Sequence, residues 1–181
     1  MRRKAIVLFM MACAVFTACA SSQEPVGTTP ASPPTPPPTA QQPPADFRDQ
    51  DGRTQLMRTV ETSDVTEVEK LIDGGANVNE QSNTGITALQ TAAGMGKTDV
   101  VRLLIRRGAD VNQKAQGGFT PLMQAALAGR PEVAEILLEA GADPNAEDMT
   151  GKSAADWADE KNHKNIVQMI TRRGGRQPKK R

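Results

Sequence analysis

The stretch that decides the fold runs from Gly117 to Met149 and reads GGFTPLMQAALAGRPEVAEILLEAGADPNAEDM. A shift of 33 residues toward the N-terminus finds the same pattern again at 84–116, as TGITALQTAAGMGKTDVVRLLIRRGADVNQKAQ. Further shifts give copies at 51–83 and 150–175, with no insertion or deletion between the four copies. A fixed period of this length indicates a stack of supersecondary units, because one such unit alone cannot bury its apolar face.

Each copy holds two short apolar-periodic segments, which we interpret as two paired helices. In the third copy, apolar residues recur at three- and four-residue spacings, and this predicts one buried stripe on each helix. These residues are Leu122, Ala125, Ala126, Val133, Ile136 and Leu137. Two other series at the repeat period consist mostly of glycine, which tolerates the left-handed backbone conformation. The first series predicts the end of each second helix and consists of Gly75, Gly108, Gly141 and Gly174. The second series predicts the turn within each helix pair and consists of Ser63, Gly96, Gly129 and Asn162.

These features resemble the ankyrin repeat, whose pattern is T-P-L-H-x-A-A followed by a G-A-D-V-N loop. The third copy carries the pattern as Thr120-Pro121-Leu122-Met123, Ala125-Ala126, Gly129 and Gly141-Ala142-Asp143. The resemblance implies an all-α solenoid of about four 33-residue helix-turn-helix repeats with β-hairpin-like loops. Met123 and Gln90 replace the usual histidine, and Gln55 and Ala88 replace the usual proline. We expect the fold to survive these changes.

The N-terminus reads as a secretory signal, with basic residues followed by an apolar run at 5–16 that is too short to span a bilayer. The sequence Phe16-Thr17-Ala18-Cys19 is similar to the bacterial lipobox, although Phe16 stands where leucine is usual. The resemblance implies a signal peptide at 1–18, lipid attachment at Cys19 and an outer-membrane anchor facing the periplasm. The alternative is simple cleavage after Ala20, which gives a soluble periplasmic or secreted protein.

The repeats, expected at 47–175, lie between two segments of biased composition. The linker at 19–46 holds nine prolines among Thr, Ser, Ala and Gln, which predicts an extended chain without a core. The formal net charge is only +1, but 172–181 carry six basic residues, so the end of the chain, with its tail at 176–181, is strongly basic. This tail either meets an anionic lipid, cell-wall polymer or acidic partner, or is a solvated end.

Candidate chemistry is weak along the whole chain. The Gly-Met-Gly-Lys-Thr run at 94–98 looks like the end of a phosphate-binding loop, but Thr91 stands where that motif needs glycine. The single histidine, His163, has no cysteine partners for a zinc site or a catalytic pair. Asp110 and Asp143 recur at the repeat period. Carboxylates that accept hydrogen bonds from backbone amides in tight loops explain this recurrence without catalytic chemistry. We therefore expect no enzyme activity, cofactor, metal or nucleic-acid partner.

The resemblance to the ankyrin repeat implies that the protein binds another protein through a concave face and its loop tips. By register, the residues concerned are Arg53, Gln81, Asn83, Ile86, Met95, Lys114, Gln116, Phe119, Leu127, Met149 and Lys152. Ile86, Phe119 and Met149 are apolar at loop tips, where side chains normally face water, and this indicates an interaction site. Phe119 has an alternative, which is to fold back onto the adjacent hairpin. The partner is an unidentified protein, and we expect a monomer.

Two other functions remain open from the sequence. One is association with the envelope surface through the basic tail, and the other is a role as an accessory or immunity protein to an enzyme or toxin. Trp157, the single tryptophan, is expected to cover the end of the core in the last repeat with its indole NH toward solvent.

Overall fold

The computed structural model describes residues 48–62 and 64–179. These ranges hold eight α-helices and no strand beyond an isolated bridge between Arg48 and Thr54. The helices are α1 Gln55–Thr62, α2 Val65–Asp73, α3 Ala88–Met95, α4 Thr98–Arg106, α5 Pro121–Leu127, α6 Pro131–Glu139, α7 Ala154–Glu160 and α8 Lys164–Arg172. The predictions for the signal peptide, Cys19, the linker, Ser63 and the last two residues lie outside the described residues.

The helices form two layers. The first helices of the pairs, α1, α3, α5 and α7, pack side by side as an inner layer, and α2, α4, α6 and α8 pack in the same order as an outer layer. Each inner helix also packs against its own outer partner. The expected all-α solenoid of about four helix-turn-helix repeats is therefore confirmed, and we name the units repeat 1 (51–83), repeat 2 (84–116), repeat 3 (117–149) and repeat 4 (150–175).

The core lies between neighbouring repeats. Alanine residues on the inner helices, including Ala92, Ala125 and Ala158, are fully buried, so these helices can approach each other closely. Leu137 on α6 is also fully buried, as its place in the apolar stripe predicts. The stack is thus held by contacts between adjacent repeats, which is the arrangement expected of a solenoid.

A hydroxyl residue precedes each of the four inner helices, and Thr54 before α1 accepts from the Met57 amide at 3.3 Å. The Thr87 hydroxyl oxygen accepts from the backbone amide of Gln90, 3.2 Å away, and Thr120 and Ser153 begin α5 and α7 in the same way. These caps satisfy amides that the first turn of a helix leaves unpaired. Gln90, which replaces the usual histidine, also donates from Nε2 to the carbonyl of Phe119 in repeat 3, at 2.8 Å. The departure from the family pattern therefore keeps a hydrogen bond between repeats.

The turns within the helix pairs have the predicted backbone conformation. Gly96 and Gly129 have φ values of 78° and 67°, and Asn162 at 63° is the only non-glycine residue with positive φ among those described. Gly96 ends α3, and Lys97 directly precedes α4 and donates to the carbonyl of Glu61 at 3.2 Å. The 94–98 run is therefore a helix–helix turn.

Asparagines at the repeat period tie each repeat to the next one. Asn112 accepts from the amide of Asp143 at 2.8 Å and donates to the carbonyl of Gly141 at 3.1 Å. Asn79 and Asn145 make the same two bonds one repeat earlier and later. Within the loop, Asp143 accepts from the amide of Asn145 at 2.9 Å, as predicted for these carboxylates. The periodic polar residues therefore have a structural role.

One expectation about the last repeat is wrong, and one of the two alternatives for the tail does not hold. Trp157 does not point its indole NH to solvent, because this group donates to the Asp148 carboxylate at 2.9 Å. The basic tail is not a solvated end over its described part. Arg176 donates to the Glu147 carboxylate, and the Lys179 amide donates to Asp156 at 2.6 Å. The described tail therefore lies against repeats 3 and 4, because carboxylates of the loop that ends repeat 3 and of α7 accept hydrogen bonds from it.

Candidate protein-binding groove

Four hairpins, one for each repeat, hold the residues that the sequence placed at the loop tips. The hairpins at 82–86 and 115–119 close by main-chain bonds, from Ser82 to Ile86 at 2.9 Å and from Ala115 to Phe119 at 2.8 Å. Adjacent hairpins are joined as well, since the Gln116 amide donates to the Thr84 carbonyl at 3.0 Å. Residues 86 and 119 are therefore fixed at equivalent places in neighbouring repeats.

Glycine is required where the hairpins approach each other. Gly118 has a φ of 81°, and a Cβ atom placed on it would lie 3.1 Å from the Cα atom of Asp148 in the next hairpin. A side chain here would strain the backbone and push the hairpins apart. The close spacing of the loop tips depends on this glycine.

A groove runs between the hairpins and the inner helices of repeats 1 to 3, and we call it the inner groove. Its central part has a volume of about 450 Å³, and a part of about 400 Å³ continues it over repeat 1. The central part is lined by Glu61, Thr84, Ile86, Gln90, Thr91, Gly94, Met95, Ala115, Gln116, Phe119 and Gln124. The part over repeat 1 shares four of these residues and adds Asp51, Arg53, Met57, Ser82 and Asn83. This volume is in the range of sites that hold small ligands or side chains.

Three apolar side chains dominate the central part of the inner groove. Ile86 and Met95 are 41% and 42% exposed. Phe119 is partly buried, because its ring lies against the ring of Trp157 with a centroid distance of 5.4 Å. Phe119 thus both packs onto repeat 4 and lines the groove. The sequence offered an interaction site and folding back onto the neighbouring hairpin as alternatives, and the structure combines the two. An aromatic ring held in this way is a rigid wall for an apolar side chain of a partner.

Charge is confined to one end of the inner groove. Its charged lining residues, within the part of the chain that the structure describes, are Asp51, Arg53 and Glu61, all of repeat 1. Arg53 and Glu61 form an ion pair in which each side chain is about one third exposed. Repeats 2 and 3 contribute only apolar, glycine, hydroxyl and amide residues to the lining. Apolar groups can therefore be accepted over repeats 2 and 3 without desolvating a charge, whereas Glu61 of repeat 1 also lines the central part.

The sequence model of the family described as "Ankyrin repeats (3 copies)" matches residues 40–115, 56–148 and 115–180. Together these matches cover most of the chain. This protein belongs to the ankyrin-repeat family. A search of curated proteins gave no significant match. Ankyrin repeats generally mediate protein–protein interaction, and proteins built from them are typically non-catalytic scaffolds.

The structure brings together part of the set that the sequence assigned to partner binding in this ankyrin-repeat protein. Six of these residues line the inner groove: Arg53, Asn83, Ile86, Met95, Gln116 and Phe119. The other five, Gln81, Lys114, Leu127, Met149 and Lys152, do not line it. Gln81 donates to the carbonyl of Lys114 at 3.1 Å, and Met149 is 84% exposed at its loop tip. Lys152 lies over the Trp157 ring at 4.2 Å and pairs with Glu160 at 2.6 Å.

Sequence reasoning missed the floor of the groove in the ankyrin stack. Thr91 and Gln124, which lie 33 residues apart on α3 and α5, form this floor with Gly94, and Glu61 closes it at repeat 1. The register could have found them, because Thr91 and Gln124 share the position of Trp157 on the inner helices. Their polar side chains gave no hydrophobic signal.

Asp148 is a second residue that the sequence did not mark. Its carboxylate accepts from the Thr150 hydroxyl at 2.6 Å, from the Lys152 amide at 3.0 Å and from the Trp157 indole at 2.9 Å. Burial by itself raises the pKa of Asp148, but these hydrogen bonds outweigh burial and the pKa is lowered. A charged Asp148 therefore fixes Trp157, which in turn supports Phe119.

No group of three or more His, Cys, Asp or Glu side chains in 48–62 and 64–179 is placed to hold a metal ion. Within the same residues, no helix has the length and apolar character needed to cross a membrane.

Proposed function

We propose that this ankyrin-repeat protein is a non-catalytic binding module that takes a segment of a partner protein into the inner groove. The observation that carries the proposal is the groove itself, with Ile86 and Met95 exposed and Phe119 fixed beside them. Exposed apolar side chains at the centre of a groove, surrounded by amides and hydroxyls, are typical of an interface core with a polar rim.

A photo-crosslinking residue placed at Thr91 in the full chain tests the proposal. Thr91 lines both parts of the groove, whereas Arg102, exposed on the outer helix α4, is the matched control position. We expect a crosslinked protein partner from Thr91 that is absent with Arg102. Equal crosslinking from both positions would contradict binding in the groove.

Two serine substitutions separate the groove from the loop tips. Ile86→Ser removes an exposed apolar side chain from the groove, and Met149→Ser removes one from a loop tip outside it. We expect loss of the crosslinked partner with the first variant and retention with the second. The reverse pattern would move the binding surface to the loop tips.

We also propose that the protein is exported across the inner membrane of a bacterium and is tethered to the outer membrane, facing the periplasm, through a lipid on Cys19. The sequence Phe16-Thr17-Ala18-Cys19 supports this, and Ala20 after the cysteine favours sorting to the outer membrane. Acyl chains stabilise such an anchor by about 0.8 kcal/mol for each buried methylene group. We expect Cys19→Ser to release the protein into the soluble fraction or to block its processing. Finding a mature N-terminus at an unmodified Ser21 by mass spectrometry would contradict the anchor.

A further inference from the structure

We infer that the partner segment carries a bulky apolar side chain and, about three residues away from it, a lysine or arginine. This inference rests on the proposed function, since it names the chemistry of what enters the inner groove. It follows from three features of the groove: an apolar centre, an amide without a hydrogen-bond partner and an excess of carboxylates at one end.

The apolar centre sets the first requirement. Ile86, Met95 and Phe119 line one space of about 450 Å³. The Met95 thioether can adapt its shape to a guest, and the Phe119 ring is held in place by Trp157. Burial of a leucine-, methionine- or phenylalanine-sized side chain here removes apolar surface from water on both partners.

The amide sets the second requirement. Gln124 lines the same space, and its side-chain carboxamide makes no hydrogen bond within the described residues. It lies directly beside Gly94, where an added Cβ atom would come within 2.9 Å of its Nε2 atom. A carboxamide offers both donors and an acceptor, so it can pair with the main chain of a peptide. The occupant is therefore a polypeptide segment rather than an acyl chain, which has no groups for the amide.

The charge at the repeat 1 end sets the third requirement. Asp51 and Glu61 outnumber Arg53 there, so the lining has a net negative charge. Asp51 is exposed, and its side chain takes part in no ion pair among the described residues. An acidic partner segment would be repelled at this end, and a basic one is attracted.

The two ends of the groove also fix the spacing. Ile86 lines both parts, so the apolar space and the acidic space meet at this residue. Neighbouring packed helices lie about 8–10 Å apart. An extended chain covers that distance in about three residues at about 3.3 Å per residue.

Selection of peptides on the purified full chain tests the inference. The probe is a displayed library of random peptides of about twelve residues, long enough at about 3.3 Å per residue to pass through both parts of the groove. Ile86→Ser protein serves for counter-selection. We expect the enriched peptides to pair a bulky apolar residue with Lys or Arg at the stated spacing. Acidic peptides, peptides without a charge preference or no enrichment over the counter-selected protein would each overturn the inference.

Charge reversal at Asp51 then tests the acidic end with an enriched peptide. Asp51→Lys should weaken binding by about threefold to tenfold, an effect of the size that exposed charges give, and the effect should shrink with added salt. The control is Asp159→Lys, which makes the same change at an exposed residue outside the groove. Equal weakening by both variants would assign the effect to overall charge and overturn the inference.

The outcome separates this inference from the proposed function. Crosslinking from Thr91 with loss in Ile86→Ser, together with acidic or neutral selected peptides, would keep the groove as the binding site and reject the basic segment. Failure of the Thr91 crosslink would reject the groove itself.

Discussion

The central and terminal repeats differ at the same positions of the inner face. Positions 53, 86, 119 and 152 are one repeat apart and hold Arg, Ile, Phe and Lys in that order. In repeats 1 and 4 the cation pairs with a glutamate of its own inner helix, Arg53 with Glu61 and Lys152 with Glu160. In repeats 2 and 3 the glutamate position holds Gly94 and Leu127. Repeats 1 and 4 thus present water-compatible ion pairs, and repeats 2 and 3 leave an apolar surface for a partner.

In the core, repeat 1 differs from the other three repeats. Leu104, Leu137 and Ile170 occupy one register position and are fully buried, whereas Leu71 at this position in repeat 1 is only partly buried. Lys70 is exposed where repeat 2 has the buried Leu103. Among the described residues, the helices of repeat 1 pack against another repeat, repeat 2, on one side only, so part of their surface faces water. This is what a terminal capping repeat requires.

The largest expected effect is loss of stability on truncating a central core residue. Leu137→Ala should lower the free energy of unfolding by about 2–5 kcal/mol, because it leaves a cavity between repeats. Leu71→Ala at the same position of repeat 1 is the matched control and should cost clearly less. Chemical denaturation followed by circular dichroism measures both. Equal losses would show that repeats 1 and 3 are packed alike.

The next effect concerns the support of the aromatic pair of Phe119 and Trp157, which joins repeats 3 and 4. Asp148→Asn should cost about 1–3 kcal/mol, because a buried acceptor of charge-assisted hydrogen bonds is replaced by a group that also carries donors. The fluorescence of Trp157, the single tryptophan, should shift as its indole loses the carboxylate. Asp159→Asn, at an exposed carboxylate of α7 in repeat 4, is the control and should leave both signals unchanged.

Acid should act on the same group. The pKa of Asp148 is lowered in the folded state, so its contribution is fully present above the ordinary value of 3.8 and is lost as pH falls through the lowered pKa. The free energy of unfolding of the natural protein should therefore drop below about pH 4, and the drop should be smaller in Asp148→Asn. Identical pH profiles for the two proteins would contradict a lowered pKa at Asp148.

Much of this contrast could be predicted from the period of the sequence. The repeat register places Ile86 beside Phe119, buries Leu137 and makes Asn162 a turn residue, because each follows from a position within one repeat. The contact of Phe119 with Trp157 could not be predicted, since it depends on side-chain directions across two repeats. The pairing of Arg176 with Glu147 could not be predicted from the sequence either. A basic segment has the same composition whether it meets carboxylates or water.

Binding should respond most strongly at the central repeats. Ile86→Ser should weaken capture of the partner by at least tenfold, about 1.4 kcal/mol, with little change in melting, because Ile86 lies outside the buried core. Phe119→Ser should weaken capture as well but should also lower stability, since Phe119 packs against the core and Trp157. The sequence alone treats the two residues as equivalent. A Phe119→Ser protein with the melting temperature of the unmodified protein would contradict a stabilising role for the packing of Phe119.

The smallest expected effect is at the C-terminal end of the stack. Hydrogen bonds from Arg176 and then from Lys179 lower the pKa of Glu147, so the described tail pairs with the loop that ends repeat 3. Because these groups are exposed, replacing both cations by glutamine should reduce the melting temperature only slightly. The difference should vanish at about 1 M salt, where the Debye length is about 3 Å. Partner capture should persist, since neither residue lines the inner groove. Loss of capture in this variant, with Ile86→Ser binding normally, would replace the groove by the basic tail as the interaction surface.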